Sequence, residues 1–172
     1  MKRTIMMTAL LLMAVMGMQA QSLLGTWKSE TTTDEDGDKT TWTFVFAQNN
    51  KTTMIMTLES SDEEVGDMVF SMNIPGTYKR NGNTLTMNLD AKSAKAKMEK
   101  IAYKGELANM VKESPKMKEA IDEMIQNKVD EEMKKGFADE TPFDGEVTIN
   151  KLTATTLELG DGEDVVVLTR QR

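Results

Sequence analysis

Leu23-Leu24-Gly25-Thr26-Trp27-Lys28, followed by Thr41-Trp42-Thr43-Phe44-Val45-Phe46, decides the fold of this chain. The two stretches hold both tryptophans and two of the five phenylalanines in a sequence otherwise poor in aromatic residues. Gly25 has no side chain, so backbone there can pass close to a neighbour. Trp27 then offers a large apolar surface that can plug one end of a sheet closed on itself. Thr32 to Asp38 is polar and turn-forming, and the strand after it puts Trp42, Phe44 and Phe46 on one face. This is the pattern of the first hairpin of an antiparallel barrel.

Alternation continues outward from that hairpin. Met54, Met56 and Leu58 alternate with Thr53, Ile55 and Thr57; Met68, Phe70, Met72 and Ile74 share one face of the next strand. Pro75-Gly76 marks a bulge or kink before the turn at Asn81-Gly82, after which Leu85, Met87 and Leu89 point inward. The period then changes. Asp90 caps a helix expected to start at Ala91, with Met98, Ile101, Gly105 and Ala108 at helical spacing. Ser114-Pro115 opens a second helix with an apolar stripe of Met117, Ile121, Met124, Ile125 and Met133, ended by Gly136. Strands resume at 145–150, 155–159 and 165–170. The expected fold is mainly β: an eight-stranded antiparallel meander barrel with an αα-hairpin, 91–136, inserted between strands 5 and 6. Eight strands can close, which removes exposed edges. The helices are expected to pack on each other and on the barrel.

The first twenty residues read as a secretory signal: basic Lys2 and Arg3, an apolar run from Thr4 to Met16, and a small-residue exit with the cut after Ala20. The run is too short for an ordinary membrane span. The expectation is one domain, 21–172, secreted or periplasmic, without stable membrane insertion once the signal is removed. There is no cysteine, so neither a disulfide framework nor a lipid anchor built on cysteine is available. The formal net charge of −7 becomes more negative when Lys2 and Arg3 leave with the signal. This charge argues against nucleic acid and anionic membrane surfaces as partners, and none is expected.

Histidine is absent as well, which removes triads, imidazole metal sites and the usual neutral-pH base. Carboxylates such as Glu30, Glu59 and Glu158 fall on strands whose inward positions are taken by apolar residues. The expectation is a protein that is not an enzyme and uses no cofactor. Asp34-Glu35-Asp36-Gly37-Asp38 and Asp161-Gly162-Glu163-Asp164 suggest calcium by composition, yet the first lacks the distant glutamate of an EF-hand. Both read more simply as solvated hairpin tips, and no metal is assigned.

Gly25-Thr26-Trp27 near the expected mature start, the meander after it and Arg170 in the last strand resemble the lipocalin and calycin pattern. More narrowly, the chain resembles short lipocalin-like proteins exported by Bacteroidota. The resemblance implies that Trp27 packs under Arg170 and closes the barrel floor, with Gly25 beside them. The family's Thr-Asp-Tyr motif is missing, and the helical insertion is larger than the family's single flanking helix.

An eight-stranded barrel has room for side chains or one small ligand, and the expectation is a small apolar or amphipathic molecule held in the barrel, with Phe44, Phe46, Met56, Phe70 and Met72 as its lining. Inward methionines suit irregular apolar ligands and equally fill gaps in a dry core. The alternative function is an envelope interaction or structural module with a filled barrel, in which the helical hairpin is the surface for a protein partner.

Overall fold

The structure is a computed structural model, and it describes residues 22–139, 141–161 and 164–172. The expected signal segment and its cut after Ala20 lie outside the described residues, as does part of the acidic turn at 161–164. Alternating apolar residues build ten strands: β1 (Gly25–Ser29), β2 (Thr32–Thr33), β3 (Lys39–Phe46), β4 (Lys51–Asp62), β5 (Gly66–Asn81), β6 (Thr84–Leu89), β7 (Lys95–Tyr103), β8 (Gly145–Leu152), β9 (Thr156–Asp161) and β10 (Asp164–Arg170). Between β7 and β8 lie two helices, α1 (Gly105–Glu113) and α2 (Pro115–Asp139).

Eight strands close into an antiparallel barrel in the order β1-β10-β9-β8-β6-β5-β4-β3, with β3 returning to β1. These are the eight strands read from the sequence, and the insertion falls between the fifth and sixth of them, β6 and β8. The inward positions form one core: Trp27, Phe44, Phe46, Met54, Met72, Ile74, Leu85, Met87, Leu157, Leu159 and Leu168 are all essentially without solvent contact. Burial on this scale contributes roughly 1.5–3 kcal/mol per large side chain, which suits a chain with no disulfide to brace it.

Asp90 does cap a turn, its carboxylate accepting from the Ser93 amide at 3.3 Å, but the expected first helix does not form at Ala91. Residues Ala91–Ser93 make a single 3₁₀ turn. The chain then runs as β7 beside the first half of β5, from Asn73↔Lys95 to Gly66↔Tyr103. Helix begins only at Gly105. The reason is a register shift opposite Val69 and Phe70. Ala96 and Met98 keep the strand period of two, whereas Ile101 follows Met98 after three residues and imitates a helix.

β5 thus has two partners on one edge, β7 for Gly66–Asn73 and β6 for Gly76–Asn81. Pro75 sits where the partner changes. It lacks an N–H, and its carbonyl takes the amide of Asp90 at 2.8 Å. The pairing with β4 passes through Pro75-Gly76 without a shift, so no bulge forms there on that side.

Ser114 accepts from the amide of Met117 at 3.3 Å, and Pro115 opens α2, which runs three residues past Gly136. α2 packs along β7 and against α1. Its contact with β7 is largely polar. Gln126 Nε2 donates to the Ala96 carbonyl at 3.0 Å, and its Oε1 accepts from the Met98 amide at 2.7 Å. Asp130 accepts from the Ala96 amide at 3.0 Å, and the Tyr103 hydroxyl donates to Asp122. Asp122, Gln126 and Asp130 recur every four residues, so they stand in one row on the helix. The row satisfies backbone groups that β7 turns away from β5, and so covers an edge that would otherwise be open. Of the expected apolar stripe, Ile121, Ile125 and Met133 are partly buried, while Met117 and Met124 are exposed. Among the described residues no helix is long and apolar enough to cross a membrane.

Candidate functional site

One end of the barrel is sealed. The Arg170 guanidinium lies 4.2 Å over the Trp27 ring. Its Nη1 donates to the Leu24 carbonyl at 2.6 Å and its Nη2 to the Ser22 carbonyl at 2.5 Å. The Trp27 indole N–H donates to the Leu23 carbonyl at 2.7 Å. Gly25 adopts φ +127°, and a Cβ there would stand 3.0 Å from Arg170 Nη1. Only glycine meets both conditions without strain.

Above this floor the residues expected to line a ligand cavity are divided. Phe44 and Phe46 stack at 6.2 Å between centroids, and both belong with Met72 to the packed core. Tyr78 meets Phe46 edge-on at 5.0 Å, and Phe143 meets Phe44 edge-on at 5.1 Å. Phe70 is buried outside that core, on the part of β5 that pairs with β7, opposite Met98. Met56 is only partly buried, beside Trp42 on the neighbouring strand.

The wall opens at the seam between the first and last strands. β1 pairs with β10 at three positions only, Trp27↔Arg170, Lys28↔Thr169 and Ser29↔Leu168. Beyond Ser29 the chain shifts register by one residue against β3, from Lys28↔Thr43 to Thr32↔Thr40. The side chain of Ser29 fills the break, its Oγ accepting from the Trp42 amide at 2.9 Å. The hydroxyls of Thr31 and Thr41 meet at 2.8 Å and hold the displaced segment on β3.

Among the described residues the first part of β10 is therefore without a strand partner on this side. A cleft of about 410 Å³ results, lined by Ser29, Glu30, Thr32, Trp42, Val165, Val166, Val167 and Thr169. Trp42 is half-buried, with Phe143 edge-on to its ring at 5.6 Å. Val165 and Val167 are 38% and 52% exposed. One charged group, Glu30, faces this apolar surface, and among the described residues it has no ion pair. The cleft has the volume and composition of a small-ligand site: apolar walls with a few hydroxyls and one carboxylate.

Sequence reasoning placed Trp42 correctly on the inward face. It missed Val165–Val167 as site residues because their exposure depends on where β1 stops pairing, which is a property of tertiary register. The sequence carries one signal, the unbroken polar run from Lys28 to Asp38, which has no apolar alternation to continue β1.

Polar side chains also gather on other surfaces. At 280 Å³, a hollow beside the ends of β4 and β5 carries Lys39, Glu59, Asp67 and Lys100. There Lys104 and Ser61 donate to Asp67, holding its carboxyl below the usual range. The acidic turn at Asp34 is internally satisfied, with Asp34 Oδ1 accepting from the amides of Asp36 at 3.0 Å and Asp38 at 2.9 Å. Among the described residues no group of carboxylates is placed to hold a metal ion. In comparisons with known proteins, no family model and no curated protein matches the chain.

Proposed function

We propose that this chain is an exported, non-enzymatic, lipocalin-like barrel that binds a small apolar or amphipathic molecule at the open seam, against Trp42 and Val166. The observation that carries this reading is the contrast between a barrel interior filled by packed side chains and a 410 Å³ apolar cleft opening beside it. A ligand here would cover exposed valines and the half-buried indole, while its polar end met Ser29, Thr32 or Glu30. The test uses the neutral fluorophore N-phenyl-1-naphthylamine as probe. Its affinity is expected to fall at least tenfold in Trp42→Ala and to stay unchanged in Met117→Ser. Equal affinity in wild type and Trp42→Ala overturns the assignment.

A second reading rests on its own observation. Met110 of α1 and Met117 and Met124 of α2 are exposed, Met124 by 64%. Flexible thioethers on a helical surface suit a protein partner that repacks them. In that reading the helical pair is the interaction surface of an envelope module.

A further inference from the structure

We infer that the amphipathic ligand of the open seam is an extended polypeptide segment, which pairs with β10 at Val165 and Val167 and fills the gap in the barrel wall. The inference rests on the cleft reading above and narrows its ligand class. Its basis is the direction of the backbone groups. The Arg170 amide donates to Thr155, on the β9 side, and the Gln171 amide donates to Thr26, on the β1 side. By strand alternation, odd-numbered residues of β10 turn their N–H and C=O toward β1, and even-numbered ones toward β9. Thr169 meets Lys28 there, but Val165 and Val167 lie beyond the last β1 pair, Ser29↔Leu168. The Ser29↔Leu168 pair is a non-hydrogen-bonded one that engages the Val167 carbonyl with the Glu30 amide, so two donors, the Val165 and Val167 N–H, and one acceptor, the Val165 carbonyl, face the cleft in ladder spacing.

This edge carries none of the usual protection. Natural edges are blunted by lysine, proline, a bulge or a covering element. Here the residues are Val165-Val166-Val167, two of them exposed and all of high strand propensity. The same molecule covers another free edge, that of β7, with Gln126 and Asp130 of α2. Leaving β10 bare beside an apolar cleft is what strand addition requires: main-chain bonds for affinity and alternate pockets for selectivity. Inward side chains of the incoming strand would meet Trp42 and Val166. Outward ones would flank Val165 and Val167. Glu30 on the opposite wall, in a chain of net charge −7, selects a segment carrying lysine or arginine.

The test uses a blocked octapeptide of alternating lysine and valine, and its counterpart N-methylated at alternate residues, which cannot form the ladder. Amide exchange of Val165 and Val167 is read by NMR on the ¹⁵N-labelled chain. The expected result is at least tenfold slower exchange at both positions with the first peptide and none with the second. Val167→Pro, a substitution an edge strand tolerates when its N–H faces outward, should abolish peptide protection at Val165. If the fluorophore binds through Trp42 but the peptide gives no protection, the inference falls while the cleft reading stands. If neither binds, both fall. Protection that rises with protein concentration in the absence of peptide would assign the edge to a second copy and overturn the inference.

Discussion

Gln126 and Ala96 are joined across 30 residues of chain, the side-chain amide donating to the backbone carbonyl at 3.0 Å. The same side chain accepts from Met98, so one residue of a helix stands in for a neighbouring strand. Gln126→Leu keeps the bulk and removes both partners. Leaving Ala96 and Met98 unsatisfied should cost about 1–3 kcal/mol. The check is chemical denaturation together with amide exchange at Met98, which should quicken. Unchanged stability and protection would mean that water replaces the glutamine without loss.

Acid should loosen the same junction. Hydrogen bonds from Lys134 and then from the Ala96 amide hold the Asp130 carboxyl below its ordinary value. Partial burial opposes ionisation of Asp122, but Lys118 and Tyr103 outweigh it and the net shift is also downward. Groups depressed in the folded state contribute stability that is complete above their unfolded value, about 4. That contribution drains away as pH falls through the lower folded value. Amide protection in α2 and β7 should therefore decline below about pH 4, after correction for intrinsic exchange. Asp130→Asn keeps an acceptor without a titration and should flatten part of the decline.

Gly66 fixes where β7 meets β5. It has φ +127°, and a Cβ there would lie 2.0 Å from the Ala102 carbonyl oxygen. Gly66→Ala should cost about 2–4 kcal/mol through backbone strain and loss of the local pairing. Exchange at Tyr103 and Ala102 should rise before exchange in the barrel core does. A variant as stable as wild type would show that the β5–β7 contact yields easily.

Arg170 and Trp27 should be coupled. Arg170→Ala removes the ring contact and two charge-assisted bonds to Ser22 and Leu24, a loss of about 2–4 kcal/mol. A double-mutant cycle with Trp27→Phe should show coupling of at least 0.5 kcal/mol. Additive losses would mean that the two residues act on the floor separately.

The eight barrel strands were legible because each buries one face and exposes the other, so alternation survives in the residues themselves. β7 was not. Its bulge puts Ile101 three positions after Met98, and its lysines, alanines and glutamate favour helix as readily as strand. Asp122, Gln126 and Asp130 read as an ordinary solvated helix face, since nothing local says that a strand edge lies beside them. The cleft was hidden for a related reason. Val165-Val166-Val167 reads as a buried strand, and only the pairing of β1 determines that it is bare.

The three pairs that shut the seam join strands far apart in the chain, with Arg170 reaching back 148 residues to Ser22. As the chain is made from its amino terminus, β1 can find β3 early, within a short hairpin. It must wait for the final strand before the ring can shut. Contacts so distant in sequence form slowly, because the whole loop between them must first be ordered. Until residue 170 is available, then, the molecule is an open curled sheet. Shortening the carboxyl terminus by three residues would remove Arg170 and withhold the last step from a chain otherwise ready to take it.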